Sequence, residues 1–419
     1  MKITFSKISP QSFLLLLCVV TSLFQNYEFT FISWTLTFLL TLKQKYSYAI
    51  LTYVSIFAAI LFISFMPTIF IYSHSLFPII KDFTYIVKPI LGILVGYQVF
   101  RYTSEKGLRV FVYVGVAIAL LHIGLLLFAF FNYHSLDLNL IRAQGGFFSD
   151  YEIYALIVLL FHKKLNLILH KRNIQLFTFI IGFSSLMYFA RTNMIQFAIL
   201  ILAMKGYLFL TPKTIRVLSV LIVGMVVSYI VIYNSNPIRN GKGLDAILYK
   251  IKIAPEEAFK THINKDDWKD FNDNYRSFEN IIAVKQVSSN GIGAIFFGEG
   301  LGSTLNLGQK VLTTDGSMIQ QIPIAHNAYM TVFLKSGIVG VVFLILFIIV
   351  LYRQPKSKFE SVRNINLLLI GTSIFLIASN WVFMGLYLKL DNKSIIIGFL
   401  VALRETLIRE NNAIVYETE

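Results

Sequence analysis

Of 419 residues, 56% are hydrophobic and 14% charged, with a net charge of +15 and a mean hydropathy of +0.68. That balance excludes an ordinary soluble globule. The single cysteine, Cys18, excludes an intramolecular disulfide and a cysteine-built metal site.

A helix needs roughly 20 mostly apolar residues to cross a bilayer, and such runs follow one another along the chain without the two-residue alternation of a barrel strand. The expectation is an all-α integral membrane protein of about twelve transmembrane helices. In chain order they fall near residues 11–25, 29–42, 48–71, 83–100, 109–131, 151–162, 174–189, 193–211, 215–233, 328–351, 365–386 and 394–408. Lys2 and Lys7 before the first run resemble a signal peptide, but no small-x-small cleavage site follows, so it reads as a retained span. Three units result: an N-terminal bundle (1–233), a large loop (234–325) and a C-terminal helical unit with a short tail (326–419).

The basic residues set the orientation, because short cytoplasmic loops carry the positive excess. "KQK" at 43–45, "RYTSEKGLR" at 101–109, "HKKLNLILHKR" at 162–172, "PKTIR" at 212–216 and "YRQPKSKFESVR" at 352–363 all lie on one side of the twelve-span layout. Both termini share that side, which reads as cytoplasmic. The net charge is then a topology signal and implies no nucleic-acid partner.

The loop 234–325 lies on the opposite side and holds as many acids as bases. "PEEAFK" suggests a helix starting at Pro255, and "NYRSFENIIAVKQV" puts Phe278, Ile281 and Ile282 on one helical face. Two glycine clusters, "SSNGIG" and "FGEGLGS", mark turns before a polar stretch. "GEGLG" lacks the preceding strand and following lysine of a phosphate loop, and Asp266 and Asp267 point about 100° apart on a helix, so neither makes a site. The seven histidines show no metal-ligand spacing, and no metal or cofactor is expected.

Four groups converge on the loop side: Arg142 in "LIRAQGGFF", Arg191 in "YFARTNM", Arg276 in "DNYRSFEN" and His326. Arg142 and Arg191 each have an ordinary alternative, as a solvated loop charge and a snorkelling anchor. Arg276 opens a helix, against the preference of the helix dipole. His326 precedes a long apolar helix that Asn327 caps. At 100° per residue Gly337 and Gly340 return to its face, which predicts a small, tightly packed surface beneath the imidazole. Lys335 falls about 180° away and is expected to pair with an acid or snorkel.

Arginines bind phosphate oxygens as a bidentate fork and stabilise a departing diphosphate, while histidine accepts a hydroxyl proton near neutrality. An anionic, lipid-bound sugar donor suits that set.

The run from His326 and Asn327 through nine residues to Gly337-Ile-Val-Gly340 resembles the H-[NSQ]-x9-G-x-x-[GTV] signature of the O-antigen ligase/polymerase superfamily. Arg276 followed by "GEGLG" and then the polar run to His326 resembles that family's large periplasmic loop, and "RAQGGFF" with "ARTN" resembles its two shorter arginine motifs. The resemblance implies a metal-independent, GT-C-like glycosyltransferase of the bacterial inner membrane, its large loop and site facing the periplasm, with an undecaprenyl diphosphate-linked oligosaccharide as donor. His326 would be the base, Arg276 would hold the diphosphate, and Arg191 and Arg142 would assist. A Wzy-type O-antigen polymerase is preferred, with a ligase acting on lipid A-core as the alternative and a transporter as a third reading. A chain-length regulator would be a further partner.

Overall fold

The computed structural model describes residues 9–24, 26–133, 146–209, 211–239, 244–312, 316–388 and 391–418. Every apolar segment expected as a span is helical. In chain order these are α1 (Pro10–Leu23), α2 (Tyr27–Leu40), α3 (Tyr48–Phe70), α4 (Leu76–Val99), α5 (Ser104–Tyr133), α6 (Asp150–Leu160), α7 (Lys171–Met187), α8 (Arg191–Met204) and α9 (Pro212–Asn234). The loop unit supplies α10 (Leu244–Phe259), α11 (Trp268–Asp273), α12 (Tyr275–Ser289) and α13 (Ile292–Phe297), then β1 (Leu305–Leu312) and β2 (Met318–Ile322). The chain closes with α14 (Ala328–Tyr352), α15 (Glu360–Val382) and α16 (Lys393–Thr418). Among the described residues, five helices, α3, α5, α9, α14 and α15, are both long and apolar enough to cross a membrane. The chain is therefore a mostly helical protein of membrane character.

The closest helix pairing joins α4 to α16. A side chain at Gly96 would lie 2.0 Å from the Ile395 carbonyl oxygen, and one at Gly398 would lie 2.0 Å from that of Ile93. Small residues let the two backbones touch, which is how apolar helices associate without a hydrophobic driving force.

Helix α14 is not continuous. Gly337 takes φ 63° and ψ −164°, a conformation essentially reserved for glycine. The break frees the carbonyls of Leu334 and Lys335, and the loop unit fills it: Glu299 N–H donates to Leu334 O at 2.8 Å and Gly300 N–H to Lys335 O at 3.2 Å. A side chain on Gly337 would sit 2.3 Å from the Phe296 carbonyl carbon. Counting 100° per residue through this position fails, so Gly337 and Gly340 do not form one small face beneath His326. Gly340 instead makes room for Ser336 of its own helix, whose Oγ would be 1.8 Å from an added Cβ.

Lys335 is sealed, its side chain 1% exposed, and pairs with Asp82 of α4 while donating to the Ser303 carbonyl. Asp82 also accepts from Gly302 N–H at 2.7 Å. The loop unit is thus bound to α4 and α14 together.

Two local expectations differ from the structure. Pro255 lies inside α10 instead of starting it, with helix extending eleven residues before it. The stretch after "GEGLGS" forms a two-stranded antiparallel sheet, pairing Leu305 with Ile322 and Leu312 with Met318. Its buried Leu305 and Leu307 alternate with exposed neighbours and join Phe271, Phe278 and Val287 in a core of the loop unit's own. That alternation is the period-2 signal of a half-buried strand.

Gly337→Ala is expected to destabilise the protein by about 1–3 kcal/mol from the backbone alone, with the Phe296 contact adding to it. Thermal unfolding in detergent measures this, with Gly224→Ala in α9, where an added Cβ meets nothing within 4 Å, as the control that leaves stability unchanged or slightly raised.

Candidate functional site

The site lies where α8, α10, α12 and the start of α14 meet. Asn327 caps α14, its side chain accepting from Met330 N–H at 3.2 Å, which fixes where the helix begins and so where His326 stands. Ala328 N–H donates to Phe383 O at 3.3 Å, tying this start to the end of α15.

His326 is anchored from α12. The Glu279 carboxylate accepts from His326 N–H at 2.7 Å through Oε2, and its Oε1 lies 2.9 Å from Nδ1. Glu279 is buried while the imidazole is 55% exposed. Tyr275, one turn before Glu279, stands edge-on to the imidazole with ring centres 6.1 Å apart. Burial and the neighbouring Glu279 carboxylate push the Tyr275 hydroxyl above its ordinary pKa, keeping it protonated.

Arg276 and Arg191 meet at one carboxylate. Arg276 Nη1 is 3.0 Å from Glu257 Oε1, and Arg191 Nη2 is 3.2 Å from Glu257 Oε2. Arg191 is the first residue of α8, and its Nη1 also donates to Lys250 O in α10 at 2.7 Å. The Arg276 guanidinium lies 4.9 Å over the Phe383 ring, a cation–π arrangement. Burial lowers its pKa, Glu257 opposes that, and Arg191 adds to the lowering. An arginine so placed still carries its charge at neutral pH.

Beside this group, Trp381 stacks on Phe259 of α10 at 5.8 Å and lies 6.4 Å from Tyr329 of α14. The end of α15 therefore lays an aromatic floor beneath the charged residues.

The structure thus brings together three of the four groups singled out in the sequence, Arg191, Arg276 and His326. Arg142 lies outside the described residues. Gly337 and Gly340 lie further along α14 and serve its break, not the site surface. Glu257 and Glu279 were not singled out. Glu279 follows Arg276 by three residues and so shares its helix face, a usable signal, whereas Glu257 offers none beyond lying in the loop. Asp267 is absorbed structurally, capping α11 by accepting from Lys269 N–H at 2.9 Å. Among the described residues, no group of three or more His, Cys, Asp or Glu is placed to hold a metal ion.

An arginine pair sharing one carboxylate has the chemistry to hold an anion with two or more oxygens. His326 is tied to the same helix as Arg276, through Glu279 three residues on. Compared with protein-family models, curated proteins and solved structures, the chain matches none.

A polyanion that binds both guanidiniums has to displace Glu257 from them. Glu257→Gln is expected to raise the affinity for inorganic pyrophosphate above that of the unaltered protein, and Arg276→Ala to remove binding. Thermal-shift titration in detergent checks both; identical curves for all three proteins would show that pyrophosphate does not bind at this carboxylate.

Proposed function

We propose that the chain is a glycosyltransferase of the bacterial inner membrane that polymerises undecaprenyl diphosphate-linked oligosaccharide repeat units, with its site on the periplasmic face. The observation that carries this reading is the convergence of Arg276 and Arg191 on one carboxylate beside a histidine held at the mouth of an apolar helix. The helical, apolar architecture supports a lipid-linked substrate, and the run His326-Asn327 to Gly337-Ile-Val-Gly340 supports the family.

In the proposed reaction the donor's diphosphate displaces Glu257 and binds Arg276 and Arg191. The acceptor hydroxyl oxygen attacks the anomeric carbon of the donor sugar, forming the new glycosidic bond. The bond from that carbon to the diphosphate oxygen breaks, and the diphosphate leaves with the electron pair. The two guanidiniums stabilise its developing charge, and the hydroxyl proton passes to His326. No general acid is needed, because a diphosphate so held departs without protonation. Arg142 in its loop is proposed as a further phosphate contact, and a chain-length regulator as a partner.

A transporter would place ionisable groups along a path through the bundle. Buried ion pairs are present, Lys335 with Asp82 and Lys393 with Asp150 and Asp391. Asp150 and Lys393 open their helices and Asp82 lies in the second turn of its own, so the pairs gather at the end of the bundle that carries the site. Their carboxylates hold loops to helices, which favours a structural role over a transport path.

The test uses purified protein in detergent with a polyprenyl diphosphate-linked repeat unit as sole substrate, without nucleotide. A ladder of products is expected, with His326→Ala and Arg276→Ala each reducing its rate by about 100-fold to 10,000-fold while protein yield is retained. Transfer only when lipid A-core is supplied would make the protein a ligase; no transfer to either acceptor would overturn the reading.

A further inference from the structure

Two carboxylates serve the site, and they do different things. Glu257 is shared between two cations of the binding pair, whereas Glu279 spends both oxygens on one residue, His326. We infer that Glu279 is a positioning residue that holds His326 in the tautomer with the proton on Nδ1, leaving the Nε2 lone pair toward the open side of the site. Its catalytic consequence rests on the proposed glycosyl transfer; the tautomer assignment does not.

A carboxylate only accepts hydrogen bonds. With Oε2 engaged by the backbone N–H of His326 and Oε1 at 2.9 Å from Nδ1, the ring nitrogen facing Glu279 must carry its hydrogen. The hydrogen bond made by one ring nitrogen sets the state of the other. Among the described residues Nε2 has no hydrogen-bond partner, and the side chain is more than half exposed while Glu279 is 1% exposed. The imidazole therefore has a sealed, occupied edge and an open, accepting one.

The backbone contact is what makes the hold rigid. Gripping the main chain and the ring of the same residue from one carboxylate fixes the ring's rotation as well as its tautomer. When Nε2 takes a proton, the resulting imidazolium already sits against a buried negative charge, so the charge that develops in the reaction is met without rearrangement. Helix α12 places Arg276 and Glu279 three residues apart, about 4.5 Å along its axis. One turn of helix thereby sets the diphosphate-holding group and the aim of the base at a fixed separation.

Full-length protein with 15N-labelled histidine, in detergent well above the ordinary imidazole pKa of about 6.5, gives the tautomer directly from the ring nitrogen shifts. The His326 signals are assigned by their loss in His326→Gln. A protonated Nδ1 and a bare Nε2 are expected in the unaltered protein, reverting in Glu279→Ala to the Nε2–H form that an unconstrained histidine side chain prefers. Glu279→Gln, of the same shape, has to set its one oxygen against the backbone N–H and its NH2 against Nδ1, and is expected to move the proton to Nε2 in a folded protein, which guards against a variant that simply fails to fold. In polymerisation assays Glu279→Ala and Glu279→Gln are each expected to lower kcat by about 100-fold or more with KM for the lipid-linked donor little changed. A bare Nδ1 in the unaltered protein, or a tautomer unmoved in folded Glu279→Ala, overturns the inference. The expected tautomer in a protein that transfers no sugar would instead sink the glycosyl-transfer reading and leave the assignment standing.

Discussion

The break in α14 at Gly337 is the constraint on which the site depends. An apolar helix cannot leave carbonyls unpaired in a membrane environment, so interrupting α14 creates two acceptors, Leu334 and Lys335, that another backbone must satisfy. The turn Gly298–Ser303 does so, with Glu299 and Gly300 as donors. That insertion seats α13 against Gly337 and, through the shared core of Phe278, Val287 and Leu305, orients α12 over the start of α14. Glu279 reaches His326 because a glycine eleven residues later refuses to be helical.

Charge is organised around that junction in two ways. The Lys335–Asp82 pair is sealed among helices and supported by Gly302 N–H on the Asp82 side and Ser303 O on the Lys335 side, the added hydrogen bonds that a buried pair needs to offset its desolvation. The Arg276–Glu257–Arg191 group is less enclosed, Arg191 being the most exposed of the three. The sealed pair thus fastens the loop unit to the bundle, while the outer group joins α8, α10 and α12 nearer the surface.

Much of this was legible from residue patterns. Every apolar run became a helix, and Arg191, Arg276 and His326 stand out because they fall on the loop side of the layout, Arg276 against the helix dipole as well. What was not legible required contacts between elements. Glu257 and Glu279 look like ordinary acids of amphipathic helices until α8 and α14 are brought against them. Gly337 was read on a regular helical wheel, and no wheel shows a break whose carbonyls are satisfied from outside the helix. The β1–β2 pair is hard to see in the sequence because its alternation is short and interrupted by glycine, and Pro255 resembles a start signal although a proline is also accommodated within α10.

Helix α9 differs from its neighbours in what holds it. Its most apolar window buries nothing against the protein, and Thr214 is its one buried residue among those described. Yet α9 leads directly toward α10, and Tyr229 of α9 donates to Lys252 O of α10 at 3.0 Å. The element that carries Glu257 therefore leans on a helix that the rest of the described protein leaves bare. The carboxylate shared by Arg276 and Arg191 is thus held in place partly by a helix with almost no packing of its own.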